Sequence, residues 1–205
     1  NNIHDYPPAM PEYNRMQIIK RRFFAMRNGI IADTLRKAGL EYKIIFGLNL
    51  PQITEIAAEQ PHEADLAEEL WADRRTRESL MLAPMLYPAA DMDSATAARW
   101  IRTAPTTEVA DVLCLKLLRH IPEAIDLAIE AAGSDEEMVR YTALRLMFNL
   151  LNTASSPAGR EAGFPSPKEI AHIMHPFVKA ERQAASRLTQ TLSIQLLDEI
   201  EFILE

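Results

Sequence analysis

Apolar residues recur at three- and four-residue spacing along nearly the whole chain, and the breaks fall at glycine, proline and capping residues. Leu66, Ala67, Leu70 and Trp71 share one face of a helix whose other face carries Asp65, Glu68 and Glu69. The same reading gives helices over 14–28, closed by Gly29, and 30–38, closed by Gly39, because glycine enters the left-handed region at little cost. Pro51 starts a third helix, where its missing N–H is no loss. Further helices are expected over 76–87, 93–103, 106–119, 123–132, 134–151, 167–180 and 184–204.

Two of these starts are strongly marked. Ser134 with Glu137 forms a capping-box pattern after Gly133, and Ser166-Pro167-Lys168-Glu169 combines a serine cap, a first-turn proline and a glutamate three residues on. Strand signals are nearly absent; Tyr42–Leu48 is the one short β-like run, and it has no partner. Asn152–Pro165 is rich in Ser, Pro, Gly and Ala and reads as a flexible surface loop. About eleven helices with short links can bury their stripes as a globular bundle or as a solenoid of helix pairs. The expectation is an all-α fold in a single domain spanning residues 1–205.

Composition narrows the class. Of the 205 residues 48% are apolar, enough for a real core, and no apolar run approaches the ~20 residues of a membrane helix. Asn1 to Pro11 is polar and carries prolines, without the charged start or apolar stretch of a secretion signal. Cys114 is the only cysteine, which excludes an intramolecular disulfide and fits a reducing cytoplasm. The net charge of −7 argues against indiscriminate adhesion to phosphate, but it hides a split. Residues 1–50 hold eight Lys/Arg against four Asp/Glu, and the remainder fourteen against twenty-five. Arg15, Lys20, Arg21, Arg22 and Arg27 lie in one helix, either as a solvated face or as a nucleic-acid contact.

One stretch resembles a known family. Ile45-Phe46-Gly47-Leu48-Asn49-Leu50-Pro51 precedes Ile53 and Ile56-Ala57; Leu66-Ala67-Glu68-Glu69-Leu70-Trp71 and Glu78-Ser79-Leu80-Met81-Leu82-Ala83 follow. That order is similar to the opening helices of the HEAT-like DNA alkylation repair glycosylases, and the likeness continues through Trp100, Val109–Cys114 and Arg140–Leu146. It implies a superhelical solenoid of antiparallel HEAT-like helix pairs that binds duplex DNA on its concave face. It also implies excision of alkylated purines. In the family an aspartate sits beside the scissile nucleotide, helped by an arginine and two tryptophans. The resemblance puts the carboxylate at Asp111 and the arginine at Arg140. The chemistry is coherent, since departure of an alkylated purine leaves positive charge on the sugar, which a carboxylate and aromatic faces stabilise.

The chain departs from that pattern at Thr107, one turn before Asp111, where the family favours tryptophan. No tryptophan follows the Arg140 helix, because Trp71 and Trp100 are the only two. A weak or inactive glycosylase is therefore expected. Asp111 also admits a plainer account, as a solvent-facing residue early in its helix. The expected DNA contacts are Arg21, Arg22, Arg74, Arg75, Arg102 and Arg119; with Arg77 and Arg140, these must converge on one face if DNA is the partner. The competing reading is a HEAT-like scaffold for a protein partner. Glu169, His172 and His175 have metal-like spacing, but the second copy such a site needs, Glu59 to His62, is broken by Pro61. No cofactor, metal or membrane is expected.

Overall fold

A computed structural model describes residues 14–205; the expectation for Asn1 to Pro11 lies outside them. The described residues form twelve α-helices, with a single isolated parallel bridge, Ile44 to Thr76, in place of any sheet. Packing divides the chain into two compact units, one ending at Leu86 and the other running Tyr87–Glu205. Helix spacing alone does not announce that division.

The first unit holds α1 (Arg15–Ala25), α2 (Gly29–Lys37), α3 (Leu50–Ala58), α4 (Ala64–Ala72) and α5 (Arg77–Leu86). Helix α5 packs against both α3 and α4, and every residue from Arg77 to Pro84 is buried. Leu66, Ala67, Leu70 and Trp71 are buried together, as their shared stripe requires. Gly39 ends α2 at φ +106°, but Gly29 does not end α1. It is the first residue of α2, because the Asn28 side chain accepts from the N–H groups of Ile30 and Ile31 and so caps a new helix there.

Tyr42–Leu48 is extended, as its β-like composition suggests, and crosses the start of α5. The Ile44 N–H donates to the Arg75 carbonyl (2.9 Å), and the Arg77 N–H donates to the Ile44 carbonyl (3.1 Å). The turn that follows is clasped by Glu78. Its carboxylate, 0% exposed, accepts from the Phe46 N–H (2.8 Å), the Gly47 N–H (3.2 Å) and the Arg77 guanidinium (2.6 Å). Arg77 also donates to the Leu48 carbonyl (2.9 Å). Gly47 has φ +86°, and a Cβ built on it would lie 2.2 Å from the Asn28 carbonyl oxygen and 2.9 Å from the Ala32 nitrogen. Only glycine fits there.

The second unit holds α6 (Ser94–Thr103), α7 (Thr107–Lys116), α8 (Ala124–Ala132), α9 (Glu137–Ser155), α10 (Pro157–Glu161), α11 (Pro167–Ala184) and α12 (Gln190–Leu204). A 3₁₀ turn, Leu118–His120, follows α7. Helix α9 is the hub, packed by α7, α8 and α11, while α11 pairs with α12. Trp100 is fully buried, edge-on to Tyr87 at 5.5 Å.

The Ser166 capping box with Glu169 is present as expected. The Ser134 one is not: Ser134 Oγ accepts from the Glu136 N–H, and α9 begins three residues later than the pattern suggests. Arg140 bonds the carbonyls of Ser134 and Asp135 and so holds that turn outside the helix. Asn152–Pro165 is likewise not a plain loop. Helix α9 continues through Ser155, and Ser156 caps α10 through the Gly159 N–H. The close approach of Gly159 to the Thr153 carbonyl, where a Cβ would sit at 2.1 Å, fastens α10 onto the end of α9.

Candidate functional site

Helix α7 buries Val109, Ala110, Val112, Leu113 and Cys114, which leaves Asp111 on the face turned toward α9 and solvent. Along α9, Tyr141, Arg145 and Phe148 stand at spacings of four and three, one above the other on a single face. That face meets Asp111. The Tyr141 hydroxyl donates to Asp111 Oδ1 (2.7 Å), and Arg145 Nε donates to the same oxygen (2.9 Å). Arg145 Nη2 reaches the Tyr141 oxygen (3.4 Å), and its guanidinium lies 6.0 Å from the Tyr141 ring centre and 5.6 Å from that of Phe148.

Both donors fall on Oδ1. Oδ2 has no hydrogen-bond partner among the described residues, and the Asp111 side chain is 41% exposed. The site is thus a carboxylate clamped on one oxygen and open on the other. Burial raises the Asp111 pKa above its ordinary value, opposed by the hydrogen bond from Tyr141 and the charge and hydrogen bond of Arg145. Burial also raises that of Tyr141. Arg145 is moved upward despite its own burial, because Tyr141 and Asp111 both favour its charged form. Behind the site Cys114 is fully buried, with its thiol pushed far up by burial and donating weakly to the Thr142 carbonyl (3.5 Å), so it is no nucleophile.

Arg140 is not part of this cluster. Its Nε donates to Glu181 Oε2 (3.0 Å), and Glu181 also accepts from the buried Thr189 hydroxyl, so this pair ties α9 to α11 and the start of α12. The arginine that meets Asp111 is Arg145, five residues along. Thr107 is half-buried at the start of α7, and neither tryptophan faces outward: Trp71 is 3% exposed and Trp100 is 0%. The aromatic side chains of this cluster are Tyr141, bonded to Asp111, and Phe148, beside Arg145. An aromatic–arginine–aromatic stripe at positions i, i+4 and i+7 was the signal available in the sequence for these residues.

The remaining arginines occupy diverse settings. Arg22 makes two 2.8 Å hydrogen bonds to Glu59, Arg15 pairs with Glu63 and Glu69, and Lys20 pairs with Asp73. Much of the charge on α1 is therefore already matched by α3, α4 and the residue that ends α4. Arg21 and Lys20 flank Phe24 and Phe46 in an open cleft, and the Arg27 guanidinium stacks 3.8 Å over the Phe24 ring. Arg74 folds back on Trp71, with its guanidinium 5.5 Å from the ring, and Arg75 is exposed. Arg77 is buried in the Glu78 clasp and has no surface to offer. In the second unit Arg102 is exposed in a cleft beside Glu130, while Arg119 lines a separate one near the end of α9. Among the described residues no three His, Cys, Asp or Glu side chains gather as a metal site, and no helix is long and apolar enough to cross a membrane.

Comparison with known proteins agrees with this architecture. No curated protein matches the chain. A solved structure does, with a TM-score of 0.61 at 17% identity over 90% of this chain and 82% of the other. It is described as representing "a new family of proteins related to the HEAT-like repeat DNA glycosylases with affinity for branched DNA structures". The likeness establishes a HEAT-like repeat fold. The family model for DNA alkylation repair enzymes matches residues 19–191, a span that takes in the Glu78 clasp, Asp111, Tyr141, Arg145 and Arg119. The chain belongs to the DNA alkylation repair enzyme family.

Proposed function

We propose that this protein binds DNA, and that the Asp111–Tyr141–Arg145 cluster is the place where it engages the sugar of an alkylated nucleotide, with slow base release. The observation that carries this reading is the open Oδ2 of Asp111 beside a guanidinium and two aromatic side chains. A carboxylate held this way stabilises positive charge developing on a deoxyribose and orients water toward it. Arg145 keeps its remaining N–H groups for a phosphate on either side of the lesion. Tyr141 fixes the carboxylate but is only 8% exposed, so it offers a nucleotide little of its ring.

Tryptophan at Thr107 would offer a full aromatic face. Its absence costs the cationic sugar about 0.5–2 kcal/mol, up to roughly thirtyfold in rate. Release of 7-methylguanine or 3-methyladenine from methylated duplex is therefore slow or undetectable, and Asp111→Asn abolishes whatever remains. Binding is tested on duplex and branched DNA, the latter because the structural neighbour has affinity for it. Affinity should fall steeply with salt as counterions are released, and should drop in Arg145→Gln while helicity is kept. Base release untouched by Asp111→Asn would overturn the assignment of the carboxylate. No binding to either DNA at low salt would overturn the DNA reading.

The second reading is a scaffold for a protein partner. Pairing of Arg15, Lys20 and Arg22 with acidic neighbours favours it for the first unit, since those charges are already spent within the fold. Retention of DNA affinity after charge reversal at Arg21 and Arg75, both exposed, would leave that unit free for such a partner.

A further inference from the structure

The second unit also holds a polar cleft that shares no lining residue with the Asp111 cluster. It has a volume of about 250 Å³ and is lined by Arg119 and His120 from the 3₁₀ turn, by Asn152, Thr153 and Ser156 from the end of α9, and by Phe164 beyond α10. Not one of the residues lining it is a carboxylate. That is unexpected in a chain whose residues after 50 carry twenty-five acids against fourteen bases.

Arg119 is the anomaly. Its Nε is buried without a hydrogen-bond partner among the described residues. A buried charged donor left unmatched is costly, and proteins keep one chiefly where something else completes it. A second orphan lies one turn below the cleft on α9: Asn149 is 5% exposed, and its Nδ2 also lacks a partner. The hydroxyls of Thr153 and Ser156 already donate to the carbonyls of Asn149 and Thr153, so the donors left for a guest are Arg119, His120 and Asn152. His120 is held below its usual pKa by burial and by the charge of Arg119. An arriving anion would meet the charge of Arg119 and supply acceptors to the donors of the cleft at once.

We propose that this cleft is a binding site for a phosphate group, held by the Arg119 fork with His120 and Asn152, with Phe164 walling the space for the organic part that carries it. Three donors lining one cleft, one of them a planar guanidinium, match the oxygens of a phosphate, which offers more acceptors than a carboxylate or a neutral sugar hydroxyl. The shared chemistry fits a phosphate of a nucleic-acid backbone and a small phosphorylated molecule alike, and the proposal does not depend on the role given to Asp111.

The test follows the side-chain Nε–H signal of Arg119 and the ring signals of His120 by ¹⁵N NMR on the full chain. Inorganic phosphate is titrated against chloride at matched ionic strength. Phosphate should shift both signals saturably where chloride does not, and Arg119→Met should weaken the response of the remaining His120 signals at least tenfold. Because Arg119→Met removes an unmatched donor rather than a bond, it should leave the melting temperature unlowered in the absence of phosphate. Identical responses to phosphate and chloride, or an unchanged phosphate response in Arg119→Met, would overturn the site. A DNA arm separates the sources. If the backbone supplies the phosphate, inorganic phosphate competes with duplex DNA, and Arg119→Met lowers the slope of log affinity against log salt by about one. If a small molecule supplies it, Arg119→Met loses the phosphate response and keeps its DNA affinity; either result upholds the cleft.

Discussion

Replacing Glu78 by leucine should nearly unfold the first unit, although Glu78 touches no surface. The change leaves the Arg77 guanidinium, 4% exposed, without its 2.6 Å partner, and strips the acceptors from the Phe46 and Gly47 N–H groups. Breaking a buried ion pair from one side costs about 3–5 kcal/mol. Each orphaned N–H adds up to about 1–3 kcal/mol. A domain holds only about 5–15 kcal/mol in total. The pairing predicts its own rescue: Arg77→Met with Glu78→Leu removes both charges and should recover the ion-pair part, leaving as the residual loss the two N–H groups and the Leu48 carbonyl that Arg77 served. Urea titration can be read separately in each unit, because Trp71 lies in the first and Trp100 in the second, and their indole N–H signals are distinct reporters. Glu78→Leu should shift the Trp71 midpoint far more than that of Trp100. A Glu78→Leu protein within about 1 kcal/mol of the parent, or a double variant no better than the single one, would refute the reasoning.

Other expectations follow from single positions. Gly47→Ala should destabilise by more than the ~1 kcal/mol of a left-handed alanine, because its Cβ also meets Asn28 and Ala32 backbone; thermal melting checks this. Ala185, the non-glycine residue at φ 53° that ends α11, should gain roughly 0.5–1 kcal/mol on replacement by glycine, seen as a raised melting temperature. Asp73 is held below the usual carboxylate range, since hydrogen bonds from Ser79 and Lys20 outweigh the burial that opposes them. A depressed folded pKa means stability present above the unfolded value, ~3.9, and lost as pH falls through the folded one. Asp73→Asn should therefore be less stable than the parent at pH 7, and the gap should close at an acidic pH below the lowered folded pKa. An equal gap at both pH values would show that charge is not the cause.

What could be read from the sequence was whatever depends on neighbours along the chain. Leu66, Ala67, Leu70 and Trp71 form a stripe whatever they pack on, and the Ser166 and Glu169 cap closes over three residues, so both were legible. Gly47 and Glu78 also stood in the ordered series that marks the family, although the reason for that order, a clasp closing over 31 residues, is tertiary. Local signals failed where a distant or stronger partner intervened. Asn28 captured the start of α2 and turned Gly29 from a stop into a beginning, and Arg140 held the Ser134 turn out of α9.

The site divided the same way. The sequence singled out Asp111, because a carboxylate within Val109–Leu115 breaks an otherwise buried run. The resemblance put the arginine at Arg140, and nothing local marked Arg145 instead, since the two share one helix and one charge. Only the packing of α7 on α9 decides, since five residues on a helix are a rotation of about 140°, which turns Arg140 toward Glu181 and Arg145 toward Asp111. Arg119 shows the remaining limit. Its charge was legible, but an unmatched donor is defined by the absence of partners in space, and no property of the linear chain encodes that.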